Sequence, residues 1–274
     1  MSRTLDRGLT LHLPLLLYVV FTLLPFYSML MLAFHAGGQV TATFHYLPIP
    51  FSLQHFRTLF DEDSFLPYLR NSIVVAVATV IVDIPIAVLT GYALSRFQFR
   101  GKTTFMLALL TTQFVPASML IIPIFIVFKD LDLLDSLLGL VLINATFELP
   151  FAAILMRGFV SAIPFELEEA SMVDGCTRFQ GVLRVALPLL RPGVVAVAAF
   201  GFVGAWNNFL FALFLISDQN LYTVPVGLSY FLGEFNVDYA ALAAGGVVAV
   251  VPVVCVFALI QRYLVGGLAG AVKG

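Results

Sequence analysis

The chain has 274 residues, 61% hydrophobic and only 11% charged, with a formal net charge of -2 and a mean hydropathy of +1.01. Charged residues make up about a quarter of an ordinary soluble domain, so this composition excludes that class and points to an integral membrane protein whose solvent is the lipid bilayer. The near-zero charge offers no electrostatic footprint for a nucleic acid, and no such partner is expected.

A spanning helix needs about 20 mainly apolar residues, and six stretches qualify: residues 11–34, 68–94, 104–128, 134–156, 194–216 and 239–260. Their lengths suit helices, and the ten-residue alternation of a membrane barrel does not occur. The expected fold class is therefore an all-α membrane protein, a six-transmembrane-helix bundle forming one domain over residues 1–274. Arg3 and Arg7 precede the first stretch, which is longer than a signal peptide's apolar core and lacks a convincing cleavage site, so a retained helix is expected. The second carries Asp83 near its middle, with Thr79 one turn before it and Pro85 two residues after. Pro116 and Pro123 are expected to kink the third, whereas the fourth carries Glu148 with Asn144 at i-4 and Pro150 just beyond.

Residues 163–192 then form the longest polar segment, with apolar stretches on both sides, so it is a loop at one membrane face. It reads as two short helices. Pro164 suits a first helical turn, and Glu166, Glu168 and Glu169 sit near that helix's positive N-terminal end. Gly175 supplies a left-handed stop, Thr177 and Gln180 have capping-box spacing for the second helix, and Pro188 ends or kinks it. Asn207 and Asn208 place amides in the fifth apolar stretch.

Lys and Arg in short loops set orientation. Arg3, Arg7, Arg96, Arg100, Lys102, Arg157, Arg178, Arg184, Arg191, Arg262 and Lys273 fall on one side, leaving Arg57, Arg70 and Lys129 for the other. Both termini and residues 163–192 are thus expected in the cytoplasm. Cys176 and Cys255 lie at different membrane depths and are not expected to pair, and His12, His35, His45 and His55 lack metal-ligand spacing. A phosphate loop of the form G-x-x-x-x-G-K-[ST] is missing, as are H-E-x-x-H and G-x-S-x-G, so no catalytic residue, metal or cofactor is assigned to the chain.

An acid inside a span costs about 2.5 to 3.5 kcal/mol on insertion scales and usually faces protein or water. Two roles stay open for Asp83, Asn144, Glu148, Asn207 and Asn208: lining a polar translocation path, or holding helices and subunits together.

Glu169, Ala170 and Ser171, followed by Asp174, Gly175, Val185, Leu187 and Pro188, resemble the EAA loop of the membrane subunits of ATP-binding-cassette importers, with Ser171 for the second Ala and Val185 for Ile. Further stretches are similar to the carbohydrate permeases related to the smaller membrane subunit of the maltose transporter. They are Asn71 to Val74, the turn from Tyr92 to Lys102, Trp206 to Phe209 with Asn208 for the usual acid, and the tail from Gly267 to Gly274, one residue short of the family's pattern. The resemblance implies a six-helix type I importer permease in a bacterial or archaeal cytoplasmic membrane. It implies that residues 163–192 form the coupling loop, in which Glu168, Glu169, Ala170, Ser171, Asp174 and Gly175 meet the ATPase, and that the tail 266–274, with Lys273 and Gly274, reaches the ATPase interface. It implies as partners a second permease subunit, two ATPase subunits that carry ATP and Mg, and an extracytoplasmic sugar-binding protein. Two other readings remain: an ion-coupled carrier or channel working through Asp83 and Glu148, and a purely structural membrane subunit.

Overall fold

The computed structural model describes residues 2–36, 49–61, 65–233 and 237–271. In chain order the helices are α1 (Ser2–Phe34), α2 (Gln54–Asp61), α3 (Phe65–Arg96), α4 (Lys102–Thr112), α5 (Ala117–Asp130), α6 (Leu137–Ser161) and α7 (Glu166–Val173). There follow α8 (Arg178–Gly181), a π-helical stretch Val182–Ala186, α9 (Leu187–Leu189), α10 (Arg191–Asn207), α11 (Leu210–Leu215), a 3-10 turn Gln219–Leu221, α12 (Val224–Ser229) and α13 (Tyr239–Ala271). Among the described residues there is no strand, only the isolated bridges His35 to Phe51 and Leu232 to Val237.

Among the described residues four helices are long and apolar enough to cross a bilayer: His12–Phe34, Phe65–Arg96, Leu137–Ser161 and Tyr239–Gln261. Two bent pairs raise the number to six if each is one span. The first pair occupies the stretch 104–128, where a kink at Pro116 was expected and α4 and α5 meet at 98°. Phe114 and Val115 close single turns onto Thr111 and Thr112, and Pro116 is extended at ψ 126°; a residue before proline is driven out of the helical region, so the axis cannot continue. In the second pair Arg178–Leu189 turns by 71° into Arg191–Asn207. That bend falls at Leu190, not at Pro188, which α9 accommodates directly after the π-helical stretch. The stretch 194–216 is also interrupted: α10 stops at Asn207 and α11 restarts at Leu210.

The chain divides into two compact units, one of residues 1–66 and 227–251, the other of residues 67–226 and 252–274. In the first, Phe34 stacks on Phe51 at 5.3 Å, Ser52 N–H donates to the Phe34 carbonyl, and His55 Nε2 lies 3.0 Å from the His35 carbonyl. Glycine lets helices approach here: a Cβ on Gly246 of α13 would stand 3.0 Å from Met29 Sδ of α1.

The second unit contains α6 packed along α10, with α3 against both. Two apolar clusters stand out among its described residues. One gathers Val75, Phe128, Leu140, Ile143, Phe211 and Leu215; the other gathers Val88, Tyr92, Met156, Val160, Ala186 and Leu190. Both α3 and α6 run through both clusters, and on each helix an acid lies between them, Asp83 on α3 and Glu148 on α6. At the first cluster's end, Asn71 Nδ2 donates to the carbonyls of Asn220 and Tyr222 at 2.8 and 3.0 Å. Ser72 Oγ accepts from Val224 N–H, and Asp135 Oδ1 accepts the backbone N–H groups of Ser217 and Asp218.

Candidate functional site

The polar loop folds from its own punctuation. Glu166, Glu168 and Glu169 occupy the first turn of α7, where their charge suits the exposed backbone N–H groups. Gly175 ends the helix at φ +89°. The N–H of Cys176 reaches the Ser171 carbonyl at 3.0 Å and that of Gly175 reaches Met172 at 3.1 Å, the paired bonds of a Schellman stop. Thr177 then opens α8 with a complete capping box: its Oγ1 accepts from Gln180 N–H at 3.3 Å, and Gln180 Oε1 accepts from Thr177 N–H at 2.9 Å. Two orphan donors are satisfied reciprocally.

One face of α7 is held and the other is free. Glu168 is buried, and its carboxylate accepts from Arg96 Nε at 2.8 Å and from Tyr92 O–H at 2.6 Å. Arg96 Nη2 also donates to the Ile163 carbonyl at 2.8 Å, and its guanidinium stands 5.4 Å over the Phe165 ring. Ser171 is buried on the same side and donates to the Glu168 carbonyl at 2.7 Å. A Cβ on Gly181 would come within 2.9 Å of Ser171 Oγ, so α8 lies close against α7. Arg178 of α8 in turn sits 4.7 Å over the Phe97 ring. Glu169, Ala170, Asp174 and Gly175 are exposed. The end of α3, with Phe97 just beyond it, thus clamps both loop helices. From the sequence, Phe97 to Lys102 reads as a tight basic turn, which misses this clamp; its local signal is the i, i+4 spacing that puts Tyr92 and Arg96 on one face of α3.

A second group lies farther along α3 and α6. A cavity of about 230 Å³ is lined by Asp83, Gln113, Glu148, Phe151, Gly201 and Gly204, among others. Asp83 is 1% exposed, and among the described residues neither of its carboxylate oxygens has a hydrogen-bond partner, nor does the buried Thr79 hydroxyl one turn away. Glu148 faces the same stretch of α10: a Cβ on Gly201 would be 3.1 Å from Glu148 Oε2 and 3.4 Å from Asp83 Oδ2, and one on Gly204 would run into Glu148 Oε1. The two acids, 65 positions apart in sequence, are therefore brought to one wall made of glycine.

The amides go elsewhere. Asn208 Nδ2 donates to Asn144 Oδ1 at 2.6 Å while its own Oδ1 accepts from Phe211 N–H at 3.1 Å. This pair ties α6 to the break between α10 and α11, the helix-joining role left open by the sequence. Asn207 is exposed at the end of α10. Gly201 and Gly204 were not singled out from sequence, although small residues at i, i+3 on an apolar helix mark close approach. Lys273 and Gly274, like His45, lie outside the described residues. Among the described residues no group of three or more potential ligands is placed to hold a metal ion.

Comparisons with known proteins show the family of the chain. Residues 83–269 match the family described as binding-protein-dependent transport system inner membrane component. The chain is 36% identical over 252 residues to the diacetylchitobiose uptake system permease protein DasC of Streptomyces coelicolor, covering 91% of each. It is 34% identical over 231 residues to the trehalose transport system permease protein SugB of Mycobacterium tuberculosis, covering 83% of this chain and 84% of that one. Its fold matches a chain of a bacterial ABC transporter involved in the import of the acidic polysaccharide alginate, with a TM-score of 0.80 at 23% identity over 96% of this chain and 98% of the other. The chain therefore belongs to the binding-protein-dependent transport system inner membrane components, the multi-pass permeases of ABC importers.

Proposed function

We propose that this chain is one membrane half of an ATP-driven sugar importer, paired with a second permease subunit, docked on two ATPase subunits that hold ATP and Mg, and fed by a sugar-binding protein outside the cytoplasmic membrane of a bacterium. The observation that carries this reading is the clamped loop, where Glu168 is fixed to Arg96 and Tyr92 while Glu169, Ala170, Asp174 and Gly175 stay exposed. An exposed, capped helix pair at one membrane face is what an ATPase cleft needs for docking, and the positive-inside count supports its placing, with both termini, in the cytoplasm. The sugar class rests on the relatives, whose names include diacetylchitobiose and trehalose transport.

Mechanistically, closure of the ATPase dimer pulls on the exposed face of α7. The Arg96 to Glu168 ion pair passes that displacement to α3, and the bundle exchanges inward-facing for outward-facing. Binding at one face thus biases a two-state element at a distance. The tail with Lys273 and Gly274 completes the ATPase contact. Asp83 and Glu148 line the solute path, whereas Asn144 and Asn208 fix the helices around it and Asn207 stays on the exposed end of α10.

Intact mass measurement of the detergent-extracted native complex tests this. One copy of the chain with a second permease and two ATPase chains is the expected result. A homo-oligomer retaining no ATPase under gentle extraction would overturn it and return attention to ion coupling through Asp83 and Glu148.

A further inference from the structure

The segment joining α1 to α3 carries a short helix, α2, that the proposed transport cycle leaves unused. The span His12–Phe34 has 23 residues, about 35 Å of helix against a hydrocarbon core of about 30 Å, so Phe34 sits where acyl chains give way to head groups. The segment is tied to that level. Ala36 N–H donates to the Pro50 carbonyl at 2.9 Å, and Ser52 N–H donates to the Phe34 carbonyl at 2.8 Å. The Phe34 ring meets those of Phe51 and Phe56 at 5.3 and 4.9 Å. At the other end of α2, Phe60 meets Phe65, the first residue of α3, edge to face at 6.4 Å. The helix therefore bridges the ends of two spans and runs along the membrane face, with Leu59 fully buried on its inner side.

Its outer side is divided. Leu53 already belongs to the helical register, because its carbonyl accepts from Arg57 N–H at 3.1 Å. At about 100° per residue, Leu53 and Phe60 fall within about 20° of each other, Gln54 and Asp61 do the same about 100° further round, and Arg57 lies between the two stripes. All of these are exposed. Leu53 is 48% and Phe60 39% exposed, and Ile49 and Phe51 just before them are 68% and 63% exposed. Large apolar side chains in that number at one level are not the scattered singles of a wetted surface. Arg57 has no ion-pair partner among the described residues. An apolar stripe, a polar stripe beside it and a cation at the seam suit the boundary between acyl chains and head groups. Continuity points to lipid as the occupant: exposed apolar side chains of α1 run up to Leu30, one turn short of Phe34, and the Leu53 and Phe60 stripe carries that belt onto α2. Asp61, Glu62 and Asp63 follow Arg57 closely in sequence, so a preference for anionic lipid is not expected.

We propose that α2 is an interfacial anchor lying in the headgroup boundary of the non-cytoplasmic leaflet, with Leu53 and Phe60 among acyl chains, Arg57 at the phospholipid phosphates, and Gln54 and Asp61 in water. The choice of leaflet follows from the orientation proposed above, whereas the insertion does not depend on it.

The test reads depth by spin-label EPR on the complete complex in phosphatidylcholine nanodiscs, without its binding protein. In a background of Cys176→Ser and Cys255→Ser, nitroxides are attached one at a time to Leu53→Cys, Gln54→Cys, Phe60→Cys and Asp61→Cys, all at exposed positions. Collision with oxygen, which concentrates among acyl chains, is compared with collision with a water-soluble nickel chelate. The oxygen-to-nickel ratio for Leu53→Cys and Phe60→Cys should exceed that for Gln54→Cys and Asp61→Cys at least about threefold, as an apolar face about 5–10 Å into the boundary requires. Arg57→Glu, which sets a negative charge against the phosphates, should lower the ratio at Phe60→Cys, and an unchanged ratio would remove Arg57 from the phosphate level. Equally low ratios at all four labels would put α2 in water and overturn the anchor. Labels at Leu53→Cys and Phe60→Cys that meet neither reagent would overturn it as well, because a protein partner would then cover the stripe.

Discussion

Removing Arg96 is the sharpest perturbation of the proposed docking loop. Arg96 and Glu168 are 9% and 5% exposed, and they meet at 2.8 Å. Breaking a buried ion pair from one side costs about 3–5 kcal/mol, because the remaining charge is stranded. In Arg96→Ala the Glu168 carboxylate keeps only the Tyr92 hydroxyl, while the Ile163 carbonyl and the Phe165 ring lose their partner as well. At about 1.4 kcal/mol per factor of ten, a loss of 3 kcal/mol lowers the fraction of clamped loop more than a hundredfold relative to its alternatives. The assay is the ratio of sugar transported to ATP hydrolysed by the reconstituted complex. Arg96→Ala should lower that ratio at least about tenfold, with the complex still assembled. Arg96→Lys should fall between, because an ammonium keeps the charge but lacks the planar fork that serves Glu168 and Ile163 together. Arg96→Met with Glu168→Leu leaves no stranded charge and should recover part of the loss. A normal ratio in Arg96→Ala would refute the clamp as a transmission element, and a double variant no better than the single would refute stranded charge as the cause.

Three further outcomes follow from other parts of the same unit. Gly175 sits at φ +89°, where a side chain costs about 1–2 kcal/mol, so Gly175→Ala should lower uptake modestly and Gly175→Pro should abolish it while membrane insertion stays normal; persistent uptake in the proline variant would remove the coupling role. Asn208→Ala deletes both the bond to Asn144 and the one to Phe211 N–H, a loss of about 1–2 kcal/mol read as a lower unfolding midpoint of the purified complex. In a background of Cys176→Ser and Cys255→Ser, Ala170→Cys should react with a membrane-impermeant maleimide in inside-out vesicles only, and labelling from the outer side would reverse the proposed orientation.

Local signals in the sequence were faithful where one residue decides local geometry. Gly175 and the Thr177 to Gln180 box each act within a single helical turn, so their residue types suffice to foresee them. Apolar length likewise located the helices, since a bilayer demands little else. The break at Pro116 was legible as a kink, but its 98° size depends on how α4 and α5 pack elsewhere. The gap at Asn208 was hidden because apolar stretches run on both sides of the Asn207 and Asn208 pair, and only the amide's bonds across to Asn144 and on to Phe211 give the interruption a reason. Pairings between distant helices had no such local trace. Glu168 looked like a dipole-compensating acid of α7, yet its strongest partner is 72 residues away in sequence.

The two candidate sites are nonetheless mechanically related, because they share the same rods. Asp83 and Arg96 are both on α3, 13 residues apart, which at 1.5 Å per residue is about 20 Å of helix. On α6 the same interval separates Glu148 from Ser161, whose hydroxyl meets that of Ser95 on α3 at 2.9 Å. Each helix thus carries a carboxylate at cavity level and a cross-helix polar contact at loop level, with the apolar cluster of Val88, Met156 and Val160 between them. A close-packed cluster transmits displacement instead of absorbing it. Motion imposed on Glu168 should therefore reach the Asp83 to Glu148 wall as a shift of whole helices. Glycine at positions 201 and 204 is what allows the carboxylates to slide past α10 without meeting a side chain. On this argument Gly201→Ala, whose methyl would press on Glu148 at 3.1 Å and on Asp83 at 3.4 Å, should slow transport while leaving the docking loop and assembly intact. A Gly201→Ala complex that transports at the wild-type rate would show that the carboxylate wall does not move with the loop.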